Sequence, residues 1–270
     1  MMRRLISYGL MVVIALVHII PFYILVTLAT KAPTDTSSKW LPPTYVYLDN
    51  FTNALQSAHL DTAFVNNVII TSSTVFLVVI LGALASYPLA RYPSRWNNLI
   101  HALIVSCLIV PALTILVPLY KLMVDLHAIN TFWGIILIQT TFAMPITVFI
   151  FTGFIRSIPR ELDEAGLIDG CSRFMIFWKI IAPLLRPAIA TVVILIGLSV
   201  WNDYQFSIFF LQKRQVQTIS VALSGFISQF QHQISWVAAG ALLAALPAVL
   251  VYIFLQRYLI HGLTEGAIKG

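Results

Sequence analysis

The stretch ELDEAGLIDG, residues 161–170, gathers Glu161, Asp163, Glu164 and Asp169, four of the ten acidic residues of a chain that is 59% hydrophobic. Acid–base or nucleophilic catalysis by such a group requires a nucleophile beside a base, and no such pair accompanies it. Metal binding requires ligands at recurring spacing. His18, His59, His101, His127, His232 and His261 are instead scattered along the chain, and Cys107 and Cys171 form no paired motif. There is no G-x-x-x-x-G-K-[ST] phosphate loop, no G-x-G-x-x-G and no H-E-x-x-H, so nothing here is built to bind ATP. The acidic patch therefore reads as a surface to be recognised.

The elements that position it are membrane helices. With 10% charged residues among 270, the chain cannot coat a water-soluble globule. A hydrocarbon core needs roughly 20 mainly apolar helical residues, and six stretches qualify: residues 5–29, 66–90, 99–120, 132–155, 187–211 and 236–256. The first follows MMRR, but its uncharged run is longer than a signal peptide's apolar core, so it is expected to be a retained span. Asp203 is the only charge within any stretch, too few ionisable groups for a self-powered pump. Pro111, Pro118, Pro145 and Pro247 predict kinks.

An even span count puts both termini on one side. With that side inside, Arg3, Arg4, Arg91, Arg95, Arg156, Arg160, Arg173, Lys179, Arg186, Arg257 and Lys269 are internal, while Lys31, Lys39, Lys121, Lys213 and Arg214 are external. Eleven against five satisfies the positive-inside rule and accounts for the net charge of +6 without a nucleic-acid partner. Cys107 in a span and Cys171 in an inner loop lie at different depths, which excludes a disulfide between them. Arg91 and Arg95 are expected near lipid phosphates. The expectation is one all-α, six-helix membrane domain over residues 1–270, with outer segments 31–65 and 210–235, an inner loop 156–186 and an inner tail 257–270. The start of segment 31–65, rich in Pro, Ser and Thr, reads as irregular, followed by a short amphipathic surface helix.

Within the inner loop, Ser157 and Pro159 suggest a helix start and Glu161, Asp163 and Glu164 complement its dipole. Gly170 can supply a tight turn, and Ser172 can cap a second helix on which Phe174, Phe177, Trp178 and Ile181 recur at helical spacing before Pro183. The pattern fits equally a hairpin lying on the membrane and one inserted into a partner's groove.

The run EAGLIDGCSRFMIFWKIIAPLLRP resembles the EAA loop of bacterial ABC importer permeases: Glu-Ala-Ala, three residues, Gly, nine residues, Ile, one residue, Leu-Pro. Glu164, Ala165, Gly170 and Pro183 match; Gly166 replaces the second Ala and Ala182 the Leu, and Gly166 is expected to loosen the first helix. WNDYQF and LLAALPAVLVYIFLQRYLIHGLTEGAIKG are similar to carbohydrate-importer permeases of the MalG type. The resemblance implies a multi-pass subunit of the bacterial inner membrane that pairs with a second permease. Two cytoplasmic ATPases, which carry ATP and Mg, would bind the EAA loops, and an external solute-binding protein would meet the segment 210–235. It implies ATPase coupling through Glu161, Glu164, Ala165, Gly166, Asp169, Gly170, Phe174 and Phe177.

A sugar path needs hydrogen-bonding and aromatic surfaces, which Trp201, Asn202, Asp203, Tyr204 and Gln205 offer at a span's outer end, although Trp201 and Tyr204 equally suit an interfacial aromatic belt. A permease for a polyol or glycerol phosphate would carry the same loop, and a secondary transporter would need more buried ionisable groups.

Overall fold

The computed structural model describes residues 2–230 and 233–267, with side chains for residues 7–230, 233–250 and 253. The described residues form helices and connecting turns only. In chain order they are α1 (Met2–Thr30), α2 (Asp49–Ser57), α3 (Leu60–Arg91), α4 (Arg95–Ser106), α5 (Leu116–Asp125), α6 (Phe132–Ser157), α7 (Glu161–Ile168), α8 (Arg173–Leu184), α9 (Arg186–Trp201), α10 (Ser207–Phe210), α11 (Ile219–Gln229) and α12 (Ile234–Ala267). His232 and Lys269 lie outside the described residues, as does the end of the 257–270 tail; the side chains of Arg3, Arg4, Arg257 and His261 likewise lie outside them.

The apolar stretches 5–29, 66–90, 132–155 and 236–256 each fall within one helix, and two others do not match their expected form. Residues 99–120 are broken: Arg95–Ile109 and Ala112–Asp125 meet at 94°. The break is at Pro111, which has no N–H to donate and pushes Val110 out of the helical region, to ψ 116. Pro118 sits in the first turn of α5, where its missing N–H costs nothing, and Pro145 and Pro247 remain inside continuous helices. The stretch 187–211 ends as a helix at Trp201, so Asp203 lies beyond the helix end and not within a span.

Contacts divide the chain into two compact units, residues 1–65 with 218–249 and residues 66–217 with 250–270. In the first unit the outer segment is better ordered than its composition suggests. Asn50, fully buried on α2, donates to the carbonyls of Ala29 and Lys31 at 2.8 and 2.7 Å and so closes the end of α1. Tyr23 and Thr27 donate to the carbonyls of Trp40 and Lys39. Lys31, 3% exposed, donates to the Ser37 hydroxyl and the Ser38 carbonyl, which together satisfy a buried ammonium.

The second unit is traversed end to end four times. At one end Asn67 of α3 donates to the carbonyl of Trp201, and Asn130, just before α6, exchanges hydrogen bonds with Phe210 and Lys213. At the other end Arg91 of α3 reaches the carbonyls of Ile158 and Pro159, just after α6. Hence α3 and α6 run parallel, and the broken pair α4–α5 makes one crossing between them. A core built around Val78, Ile135, Ile138, Phe151, Ile155 and Val192 fills this unit, and it fixes the position of α7 and α8 at the Arg91 end.

Candidate functional site

The acidic stretch folds as a helix–turn–helix of α7 and α8. No side chain caps α7: Ser157 ends α6, with its hydroxyl donating to the Phe154 carbonyl, and Arg160 occupies the cap position. Ser172 caps α8 as its type suggests, accepting from Met175 N–H at 3.3 Å. Between them the chain makes a Schellman turn. Gly170 donates to the Leu167 carbonyl at 3.0 Å and Cys171 to that of Gly166 at 2.9 Å, with Gly170 at φ +76. A Cβ on Gly170 would meet nothing within 4 Å, so the backbone angle is what demands glycine, not close packing within the chain.

Gly166 has the opposite reason. It is buried where α7 crosses α8, and a Cβ there would lie 2.9 Å from Ile176 Cγ1 and 3.1 Å from Ile180 Cδ1. The replacement of the motif's alanine brings the two helices together and does not loosen them. Within α8 the turns at Phe177–Ile181 widen to a π-helix, Ala182 N–H bonding the Phe177 carbonyl. Pro183 follows at once, and the wider turn accommodates its ring and missing N–H.

This geometry sorts the candidate residues. Glu161, Glu164, Ala165, Asp169, Gly170 and Phe174 are exposed along the hairpin. Phe174 is 67% and Ile168 86% exposed, so the tip carries apolar side chains flanked by carboxylates. Phe177 is 3% exposed and packs its ring 5.3 Å from that of Tyr87. The aromatic stripe therefore divides: Phe177 and Ile181 face inward, Phe174 and Trp178 outward.

What fastens the hairpin was only partly visible in sequence. Asp163 of α7 points inward, accepting from Tyr87 Oη at 2.8 Å and pairing with Arg91 Nη2 at 2.9 Å. Arg91 is 7% exposed and is spent on the hairpin, not on lipid phosphate. Arg173 stacks over the Tyr92 ring, 4.7 Å from its centroid. Tyr87 and Tyr92 escaped notice, and Arg91 was assigned to lipid because a cation at the end of an apolar helix equally marks membrane orientation.

The five outer candidates, Trp201, Asn202, Asp203, Tyr204 and Gln205, lie together at the α9–α10 turn. Asp203 is a helix cap: its carboxylate accepts from Phe206 N–H at 3.3 Å, Ser207 N–H at 2.9 Å and the Ser207 hydroxyl at 2.7 Å. Asn202 donates back to the Leu198 carbonyl at 2.9 Å. Tyr204 is 44% exposed, and Gln205 is exposed beside it. Phe206 anchors the turn, its ring 4.7 Å from that of Phe142 on α6.

Comparison with known proteins places this architecture. The family described as binding-protein-dependent transport system inner membrane component matches residues 78–265, which takes in the whole hairpin and the outer turn. The chain is 47% identical over 259 residues, 96% of its length and 94% of the relative's, to the melibiose/raffinose/stachyose import permease protein MelC of Bacillus subtilis. It is 33% identical, over 96% and 94% of the two chains, to the probable starch degradation products transport system permease protein AmyC of Thermoanaerobacterium thermosulfurigenes. Its fold matches that of a crystal structure of a bacterial ABC transporter involved in the import of the acidic polysaccharide alginate, with a TM-score of 0.81 and 21% identity over 94% and 95% of the chains. With the family's match running from α3 into α12 and full-length relatives at this identity, the chain belongs to the binding-protein-dependent transport system inner membrane components.

Proposed function

We propose that this chain is the transmembrane permease subunit of an ATP-binding-cassette importer that brings a di- or oligosaccharide into a bacterial cell. α1, α3, the α4–α5 pair, α6, α9 and α12 are its six spans, with both termini, the hairpin and the tail in the cytoplasm. A second permease completes the pathway, two cytoplasmic ATPases supply ATP and Mg, and an external binding protein delivers the sugar to the segment 210–235. The observation that carries the coupling role is the hairpin tip. Ile168 and Phe174 stand out from a Schellman turn, with Glu164 and Asp169 beside them, and a partner's groove is the environment that removes such apolar area from water. The sugar assignment is supported by relatives named for melibiose, raffinose and stachyose, for starch degradation products, for arabinooligosaccharides and for trehalose. The exposed Tyr204 and Gln205 supply the aromatic face and hydrogen-bonding group that hydroxyl-rich solutes need.

Uptake of labelled raffinose and melibiose by cells with and without the gene tests this reading. Loss of energy-dependent uptake on deletion, restored by the intact chain, is the expected result. Undiminished uptake of di- and oligosaccharides, with loss instead for a polyol or glycerol phosphate, contradicts the sugar assignment. Cysteines placed at Ser172 and Lys39, in a chain whose Cys107 and Cys171 are replaced, should label from opposite sides of the membrane; labelling from one side contradicts the six-span arrangement.

A further inference from the structure

α3 carries a polar clasp at each end. At one end Asn66 Nδ2 donates to the carbonyls of Gln215 and Gln217 at 2.9 and 3.0 Å, and Asn67 Nδ2 to that of Trp201 at 3.0 Å. The two asparagines are 5% and 1% exposed. At the other end Tyr87 holds Asp163 of α7 and lies against Phe177 of α8, and Arg91 holds Asp163 and the Ile158 carbonyl. Asn67 and Tyr87 are separated by about 30 Å of helix, the thickness of a bilayer's hydrocarbon core. Pro88 falls within the inner clasp, between Tyr87 and Arg91, so the stretch from Asn67 to Tyr87 is helix without proline, stiff enough to carry a displacement.

We infer that α3 is the mechanical link between the hairpin and the outer turn that carries Trp201–Gln205, with Asn66 and Asn67 as its outer positioning residues. The clasps are suited to this. Each asparagine amide grips backbone carbonyls, so it fixes where the outer chain lies whatever side chains that chain bears. Tyr87 and Arg91 together engage both helices of the hairpin, so α3 responds to the hairpin as a body. A shift at either end must move the other or break buried hydrogen bonds, which makes the linkage reciprocal between an inner and an outer ligand.

This rests on the reading of the chain as an importer permease, and the test separates the two. The complete transporter, with companion permease, ATPases and binding protein, is reconstituted in proteoliposomes, and ATPase recovery, basal hydrolysis, stimulation by sugar-loaded binding protein and uptake are measured. A parent complex that hydrolyses ATP without importing sugar overturns the permease reading, and the link with it. In an active complex, Asn67→Ala should leave ATPase recovery and basal hydrolysis unchanged while lowering stimulation and uptake about fivefold, the factor carried by one buried hydrogen bond of ordinary strength. Adding Tyr87→Phe should lower stimulation by less than the product of the two single losses, because both changes weaken the same link in series. Asn66→Ala, acting through Gln215 and Gln217, gives the same readout if Asn67→Ala does not accumulate. Full stimulation in the asparagine variants, or losses that multiply in the double variant, would overturn the link.

Discussion

The inner hairpin and the outer turn each hold carboxylates beside aromatic rings, and they use them in opposite ways. At the outer turn the single carboxylate, Asp203, is engaged within the turn, accepting hydrogen bonds from Phe206 and Ser207 of its own chain. On the hairpin only Asp163 is spent internally, on Tyr87 and Arg91, while Glu161, Glu164 and Asp169 remain exposed. The type and the local density of acidic residues are therefore poor guides to their role. What separates a structural carboxylate from one available to a partner is whether backbone N–H groups or a buried cation already satisfy it.

The largest expected effect breaks the one hairpin carboxylate that resembles Asp203 in being satisfied. Arg91→Met leaves Asp163, 15% exposed, without its cation, at a cost of about 3 kcal/mol. The permease should lose thermal stability and membrane abundance. Adding Asp163→Asn should recover much of both, since the Tyr87 hydrogen bond survives and the unpaired charge is gone. No recovery in the double variant would mean that Arg91 acts through the Ile158 and Pro159 carbonyls and not through Asp163.

Next is the turn itself. Gly170→Val forces a β-branched residue to φ +76, costing about 1 to 3 kcal/mol. The permease pair should still assemble, but the ATPase should co-purify weakly and transport should fail. Because the space around Gly170 is open, Gly170→Asn, which tolerates positive φ, should retain most activity. Equal loss with Asn and Val would place the cause in a partner's close approach and not in the backbone.

Asp203→Leu comes third. Loss of the cap costs about 1 kcal/mol, and uptake at equal membrane abundance should fall. Asp203→Ser keeps an acceptor for the α10 N–H groups and should restore uptake if capping is the role. If Asp203→Ser is as impaired as Asp203→Leu, the negative charge has a further use in the pathway. Glu164→Ala is the smallest change, removing one exposed charge from the hairpin's rim. ATPase recovery should fall by less than with Gly170→Val, by a factor of about two.

Much of this was legible in the sequence, for identifiable reasons. Length and apolarity alone set α1, α3, α6 and α12, because a bilayer imposes a minimum run that few soluble helices meet. Ser172 and Gly170 declared the hairpin because a cap and a positive φ have narrow residue preferences. The sequence did not reveal where α9 ends, because Ser207–Phe210 continues the apolar run after the turn and hides the break. Nor did it reveal that Gly166 tightens the hairpin, since the reason lies in Ile176 and Ile180 on the other helix. Phe177 and Phe174 looked alike at helical spacing, and packing against Tyr87 buries the first while the second stays exposed.

The central claim, that the exposed hairpin tip is what an ATPase reads, is tested most directly by photocrosslinking. A photoreactive amino acid is placed at Phe174 and, as a control, at Trp133, which is 50% exposed on α6, in the assembled transporter. Crosslinks from position 174 to the ATPase, absent from position 133 and diminished by Gly170→Val, are the predicted result. A residue at position 174 that crosslinks only lipid, while ATPase and permease co-purify normally, would show the hairpin to be a membrane-surface element and contradict the account.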